Sequence, residues 1–477
     1  MIARRDPFWN ICPKTTKGGR LTDSLPIRLS TKAEPSGIAR TFRPAQLGTN
    51  PPVISIRRRI LFPQRLRQPP TARRPAFLFE CLIAFSFVVI TGCLSTMQPL
   101  DPAVLRGDTE SARRLRAHVE WLAAPERDGR QPGTAGNRQA ADYIERSFRE
   151  SGLEPLPSLS GYRQPISPDL GDNIMAVRPH TDAASPVRWI IIGAHYDHLG
   201  GGFLGADDNA SAVSILLETA RTLAPPTHYS VMFVAFNTEE PPYFGTPAMG
   251  SQFFLDHLPP EIGSPENIQA VAIMDLMGSI HWPLLRDSLF AAGAEKSPGL
   301  YRRMKEARVP PLVIRPVGIH LVEEIPEHGH EAFSDYDAFR QAGVPFLFLS
   351  AARSPRYHSP GDVPDSLNYE RMAATVPWLG HLLALIDLDE RRYEFDADRL
   401  ELADEVETFR VLINQAVDPA TLIPGTSRWS LRKLREDAEW LRAVPVDQPD
   451  RTILEQLERI SIRFQCLLAD YWWCFTI

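Results

Sequence analysis

The chain has 477 residues, 43% of them hydrophobic, with five cysteines and a net charge of −6. That length can bury a large core, whereas cysteines at 12, 81, 93, 466 and 474 are too few and too scattered for a disulfide framework or a thiolate metal site. Residues 1–75 carry 16 Lys/Arg against 3 Asp/Glu, a net of +13, which leaves −19 on the remainder and argues against nucleic acid as the main partner, because phosphate binding needs clustered Lys and Arg.

Residues 1–75, rich in Pro, Arg, Ser and Thr, show no sustained period of two or of about 3.6 residues, and read as a disordered basic leader or as sequence upstream of a later start. Arg73-Arg74 then precede a short apolar run, Cys81–Ile90, which is followed by Thr91-Gly92-Cys93. The run is shorter than the roughly 20 residues a spanning helix needs. Residues 76–93 resemble a bacterial lipoprotein signal peptide with its lipobox, which implies lipidation of Cys93 and a membrane-anchored protein facing the periplasm or the cell exterior. The mass of the native amino terminus decides this expectation.

From Ala112 to Gly152 the spacing predicts helices, with Leu115, Val119 and Leu122 on one face and Ala140, Tyr143, Ile144 and Phe148 on another. Between them, Asp128–Gly136 is a loop by composition. Four short, nearly continuous apolar runs follow, Trp189–Ala194, Ser230–Phe236, Ala270–Leu276 and Val344–Ser350, as expected of strands covered on both faces. A helix is predicted over Asn209–Leu223, between the first two. The alternation predicts an α/β fold over residues 94–385, a mainly parallel mixed sheet flanked by helices on both faces. Residues 386–477 turn charged with helical stripes and predict a helical C-terminal region, in which Cys466 and Cys474 either pair or stay as thiols.

Polar residues cluster where the predicted strands end. His195, Asp197 and His198 follow the first strand, Asp207 and Asp208 follow a glycine-rich loop, and Glu239, Glu240, Asp275 and His358 follow the other strands. Open α/β sheets place ligand sites beyond the carboxyl ends of their strands. Imidazoles and carboxylates at this density suit zinc, which in hydrolases is held by three protein ligands with one position left open. The residue types allow two metals, His195 and Asp275 on one, Glu240 and His358 on the other, with Asp207 bridging. Asp197 is placed to orient a ligand imidazole from behind, and Glu239, adjacent to Glu240 and pointing elsewhere, suits a general base.

The ordered series His195-Tyr196-Asp197, Gly205–Ser211, Asn237-Thr238-Glu239-Glu240 with Gly250-Ser251, Met274-Asp275, Ser334-Asp335 and Tyr357-His358 resembles the M28 metallopeptidases, over about residues 112–385. The resemblance implies two zinc ions, the ligand, bridge and base roles above, and removal of N-terminal residues from peptides through a metal-activated water. Glutaminyl cyclases, which use one zinc and release ammonia, are similar to the same segments, and a non-catalytic binding domain on this fold is a third reading. The sequence departs from the family at Pro241–Met249 and at Tyr336, both expected to border the substrate pocket. His198 and His281 are expected to be structural or at the surface, and His328 and His330 to line a pocket or lie in a solvated loop. No obligate protein partner is evident in the sequence.

Overall fold

The computed structural model describes residues 109–279, 282–325, 329–422, 426–446 and 451–468. The basic leader, the lipobox segment with Cys93, His281, His328 and Cys474 lie outside the described residues. Among the described residues there are ten strands: β1 (Arg163–Ser167), β2 (Gly171–Arg178), β3 (Trp189–His195), β4 (Ser230–Phe236), β5 (Ile268–Met274), β6 (Ser288–Ala292), β7 (Val313–Pro316), β8 (Glu324–Ile325), β9 (Gly329–His330) and β10 (Phe346–Ser350). The α-helices are α1 (Glu110–Leu122), α2 (Ala135–Glu150), α3 (Ala212–Thr222), α4 (Gly250–Asp256), α5 (Pro298–Glu306), α6 (Ile319–Glu323), α7 (Tyr336–Gln341), α8 (Tyr369–Asp387), α9 (Leu402–Val417), α10 (Arg428–Ala443) and α11 (Arg451–Leu468).

Eight strands form one mixed sheet in the order β1-β2-β4-β3-β5-β10-β6-β7, and β8 pairs with β9 in a small separate ribbon. The central neighbours β4, β3, β5 and β10 run parallel, and the antiparallel pairs are β1 with β2, β2 with β4, and β10 with β6. All four anticipated strands are those central parallel ones. Each is buried along its full length, which is why it reads as an unbroken apolar run. The strands of this sheet that went unanticipated, β1, β2, β6 and β7, lie toward its edges, and their mixed burial blurs the apolar signal.

Alternating side chains divide between two cores, as the two-residue strand period requires. On β3, Ile190 and Ile192 join the core built with α1, α2, α3, α5 and α8. Trp189 and Ile191 join the core built with α4, α7, α9, α10 and α11. Thr109 and Thr134 cap α1 and α2, their hydroxyls accepting from Ala112 N and Asn137 N, so both helices begin where the apolar stripe begins. The C-terminal helices therefore cover one face of the sheet, burying Leu402, Val406, Phe409, Leu412, Leu457 and Phe464 with Phe346 and Phe348 of β10.

Helix α3 starts three residues later than its apolar pattern predicts. Across Ala206–Ser211 the chain is irregular, with Asp208 at φ −107°, ψ 89° and Asn209 at φ −131°, ψ 32°. That departure from helical geometry matters for the site. Among the described residues, no helix is long and apolar enough to cross a membrane. Cys466 is engaged in a disulfide.

Candidate functional site

Because β4, β3, β5 and β10 are parallel neighbours, their carboxyl ends lie side by side along one edge. His195 closes β3, Asp275 follows β5 directly, Glu239 and Glu240 follow β4 within four residues, and His358 lies on the segment after β10. The adjacent strand ends bring together residues up to 163 positions apart in the chain, His195 and His358.

Two groups of side chains meet there, His195 with Asp208 and Asp275, and His198 with Asp208, Glu240 and His358. Within each group one ligand atom per residue lies within 4.8 Å of the others. His195 Nε2 is 3.3 Å from Asp208 Oδ1 and 3.5 Å from Asp275 Oδ1. His358 Nε2 is 3.2 Å from both Asp208 Oδ2 and Glu240 Oε2. The two oxygens of Asp208 thus face different groups, the position a bridging carboxylate occupies.

This corrects the sequence reading, which put Asp207 at the bridge. Asp207 turns away, and its Oδ1 accepts from Gly278 N at 2.6 Å and Ser279 N at 3.0 Å, tying the turn after β5 to the site. The non-helical backbone at Asp208 is the physical reason, since it aims two successive carboxylates in different directions. Asp362, unnoticed in the sequence, accepts from the amides of both Asp207 and Asp208 at 2.8 and 3.1 Å and holds the pair in place.

His198 is a second correction. It is buried at the centre of the site, its Nδ1 2.7 Å from Glu240 Oε1 and 3.7 Å from Asp208 Oδ2. Its spacing of three from His195 was the available signal. Tyr336 is also placed differently. It is fully buried against Phe346 and Phe348, and its hydroxyl donates to Glu323 at 2.7 Å, so it supports the core instead of bordering a pocket.

Asp197 does more than sit behind an imidazole. Its two carboxylate oxygens accept from Glu239 N and Glu240 N, both at 3.1 Å, while its backbone carbonyl lies 3.2 Å from His195 Nδ1. One residue therefore sets the tautomer of His195, directing Nε2 at the cluster, and orients the two glutamates. The Asp128–Gly136 loop fastens the site from outside. Arg130, fully buried, donates to the carbonyls of Tyr196, Leu204, Gly205 and Leu122 at 2.7 to 2.9 Å. Burial lowers its pKa to about 10 against the pull of Asp362 and Asp208.

The electrostatics are those of a cation site. Burial pushes the Glu239 carboxyl well above its usual range, with Asp275 and Glu240 adding to the shift and His195 opposing it. Burial works against charge on His195, yet Glu239, Asp197, Asp208 and Asp275 outweigh it and raise its pKa well above 6.5. Burial likewise opposes charge on His358, and Glu240 and Asp208 raise its pKa to about 10. Burial would raise Asp208, but His198, His195 and His358 hold it well below 3.8. His195 Nε2, His198 Nε2 and Asp275 Oδ1 are buried with no hydrogen-bond partner, a costly arrangement for polar atoms unless they have another role. Nitrogen and carboxylate donors converging in two groups on a shared aspartate fit divalent cations.

Fold and site together define an α/β protein with a candidate two-cation centre at the carboxyl edge of a mixed sheet. The model of peptidase family M28 matches residues 173–379. The chain is 30% identical over 261 residues to the uncharacterized protein YfbL of Escherichia coli (strain K12), covering 50% of this chain and 77% of that protein. It is 26% identical over 252 residues to the alkaline phosphatase isozyme conversion protein of the same organism, covering 47% and 68%. Among solved structures, LapB from Legionella pneumophila aligns with TM-score 0.47 and 19% identity, over 64% of this chain and 81% of that one. The chain belongs to peptidase family M28, and it is a metallopeptidase of that family.

Proposed function

We propose that the protein is an aminopeptidase that removes N-terminal residues from peptides with two zinc ions. His195, Asp275 and Asp208 would hold one ion, and Glu240, His358 and Asp208 the other. The observation that carries this reading is the placement of Asp208, whose two oxygens face the two groups separately. Zinc bound there supplies Lewis acidity, polarising the scissile carbonyl and bringing the pKa of water down to about 7.

The chain's own residues supply the rest. Glu239 lies outside both ligand groups, with Oε2 3.8 Å from His195 Nε2. Its raised pKa suits a carboxylate that takes a proton from water and returns it to the leaving amine. Asp197 holds the Glu239 and Glu240 backbones still while that proton moves, and His198 Nδ1 donates to the Glu240 carboxylate and fixes its rotamer. The buried setting keeps these hydrogen bonds strong by excluding bulk water.

Incubation of a mixed peptide library with the zinc-loaded protein, followed by mass spectrometry, tests the reading. Products shortened from the amino end, absent with chelator, are expected. Glu239→Ala should reduce turnover by roughly a hundredfold to ten-thousandfold, the usual contribution of a positioned general base, with zinc content unchanged. Loss of ammonia only from glutamine-starting peptides would replace the aminopeptidase by a one-zinc cyclase. Full activity in the alanine variant would remove Glu239 from the mechanism.

A further inference from the structure

Arg353 lies between β10 and His358, on the segment that delivers the histidine to the site. Its guanidinium carbon stands 4.5 Å from the centre of the Tyr357 ring and 5.2 Å from that of Phe333. Tyr357 in turn stacks on the His358 imidazole, with ring centres 3.8 Å apart and planes 16° from parallel. Phe333 immediately precedes Ser334 and Asp335, and Asp335 is fully buried within electrostatic reach of His195 and Asp275. The guanidinium thus joins the two loops that flank the cluster, one aromatic ring away from one of its imidazoles.

Other arginines at the site are used internally. Arg130 donates to four carbonyls, and Arg371 donates to those of Leu285, Met277 and Ser279. Arg353 is partly exposed and makes no hydrogen bond or ion pair with any described residue. Two ring faces hold a guanidinium in place without neutralising it, and leave its in-plane N–H groups free to meet a carboxylate side-on. The segment itself is pinned, with Ala352 N donating to Ser350 Oγ at 3.1 Å, Arg356 N to Ser354 Oγ at 3.1 Å and Tyr357 N to the Ser354 carbonyl at 3.1 Å. The charge is therefore presented from a fixed position.

We propose that Arg353 forms an anion subsite at the mouth of the metal centre, which binds a carboxylate of the peptide substrate. This rests on the peptidase reading and narrows its substrate class to peptides with a negative charge near the scissile bond. The carboxylate is that of an acidic side chain or the free C-terminus of a short peptide, and the chemistry at the arginine is the same.

Three pairs of tripeptides separate these sources when hydrolysed by the zinc-loaded protein: aspartate against asparagine at position one, aspartate against asparagine at position two, and a free against an amidated C-terminus. In one pair the charged member should have kcat/KM roughly tenfold to a hundredfold higher, mainly through KM, as charge-assisted pairing predicts. Arg353→Gln should bring that ratio close to one, and Arg353→Lys should retain part of it. Turnover of both members with ratios near one in all three pairs overturns the subsite and leaves the peptidase reading standing. A preference that survives in Arg353→Gln also overturns it, by assigning the preference to another group. No turnover of any peptide brings down the peptidase reading and the subsite with it. Wild-type ratios are decisive by themselves, so a poorly folded variant does not stall the test.

Discussion

Asp207 and Asp208 have the same side chain, neighbouring positions and complete burial, yet opposite surroundings. Asp207 faces backbone amides, and Asp208 faces three imidazoles. Burial raises the Asp207 pKa, partly offset by Ser279 and the Gly278 amide, whereas the imidazoles overcome burial and lower that of Asp208. Metal analysis of two variants should separate their duties. Asp208→Ala is expected to lose both ions. Asp207→Ala is expected to keep its ions while losing about 1–3 kcal/mol of stability for a buried donor left unpaired, seen as a lower denaturation midpoint. Full metal content in Asp208→Ala would return the bridge to the position read from the sequence.

At the level of elements, the site depends on where strands stop and on what ties the loops beyond them. Arg130 links the end of α1 to the loop after β3, and Asp362 clasps the turn that carries Asp208. A similar fastening joins α6 to the C-terminal helices. His320 Nε2 lies 3.1 Å from Glu405 Oε2 on α9, and Nδ1 lies 3.7 Å from Glu458 Oε1 on α11. Burial opposes charge on this imidazole, but Glu405 and Glu295 outweigh it and raise its pKa. A histidine with a raised folded pKa contributes stability that is full below the unfolded value of about 6.5 and disappears as pH rises through the folded value. The melting temperature of wild type should therefore exceed that of His320→Gln at pH 6, by the equivalent of about 1 kcal/mol, and the gap should close at alkaline pH. A gap that is constant or widens with pH would mean the imidazole acts only through packing.

For the molecule as a whole, the C-terminal helices are structural. Their apolar stripes share one core with β10 and with α7, and Ser461 Oγ and Gln465 Nε2 both donate to the Leu321 carbonyl, at 2.8 and 3.1 Å. Ending the chain at residue 401 would expose Phe346, Phe348, Val317 and Ile319 to water, at about 25 cal/mol for each Å² of apolar surface. The truncated protein is expected to aggregate or to lose its cooperative thermal transition in calorimetry. A soluble monomer with the full-length melting temperature would make these helices a dispensable appendage.

The sequence alone carried the α/β class, the four central strands and most of the residues that converge at the candidate site, His195, Glu240, Asp275 and His358. Strands buried on both faces must be apolar throughout, and the polar residues that end them stand out against that background. Asp208, His198, Asp362 and Tyr336 were legible as residue types but not as roles. A choice between adjacent aspartates depends on backbone dihedrals, and a histidine three residues from a ligand points into or out of the site according to how its loop is tied down. Those are properties of packed neighbours such as Arg130 and Asp362, which lie 78 residues before and 154 residues after Asp208 in the chain, and only the tertiary structure brings them to it.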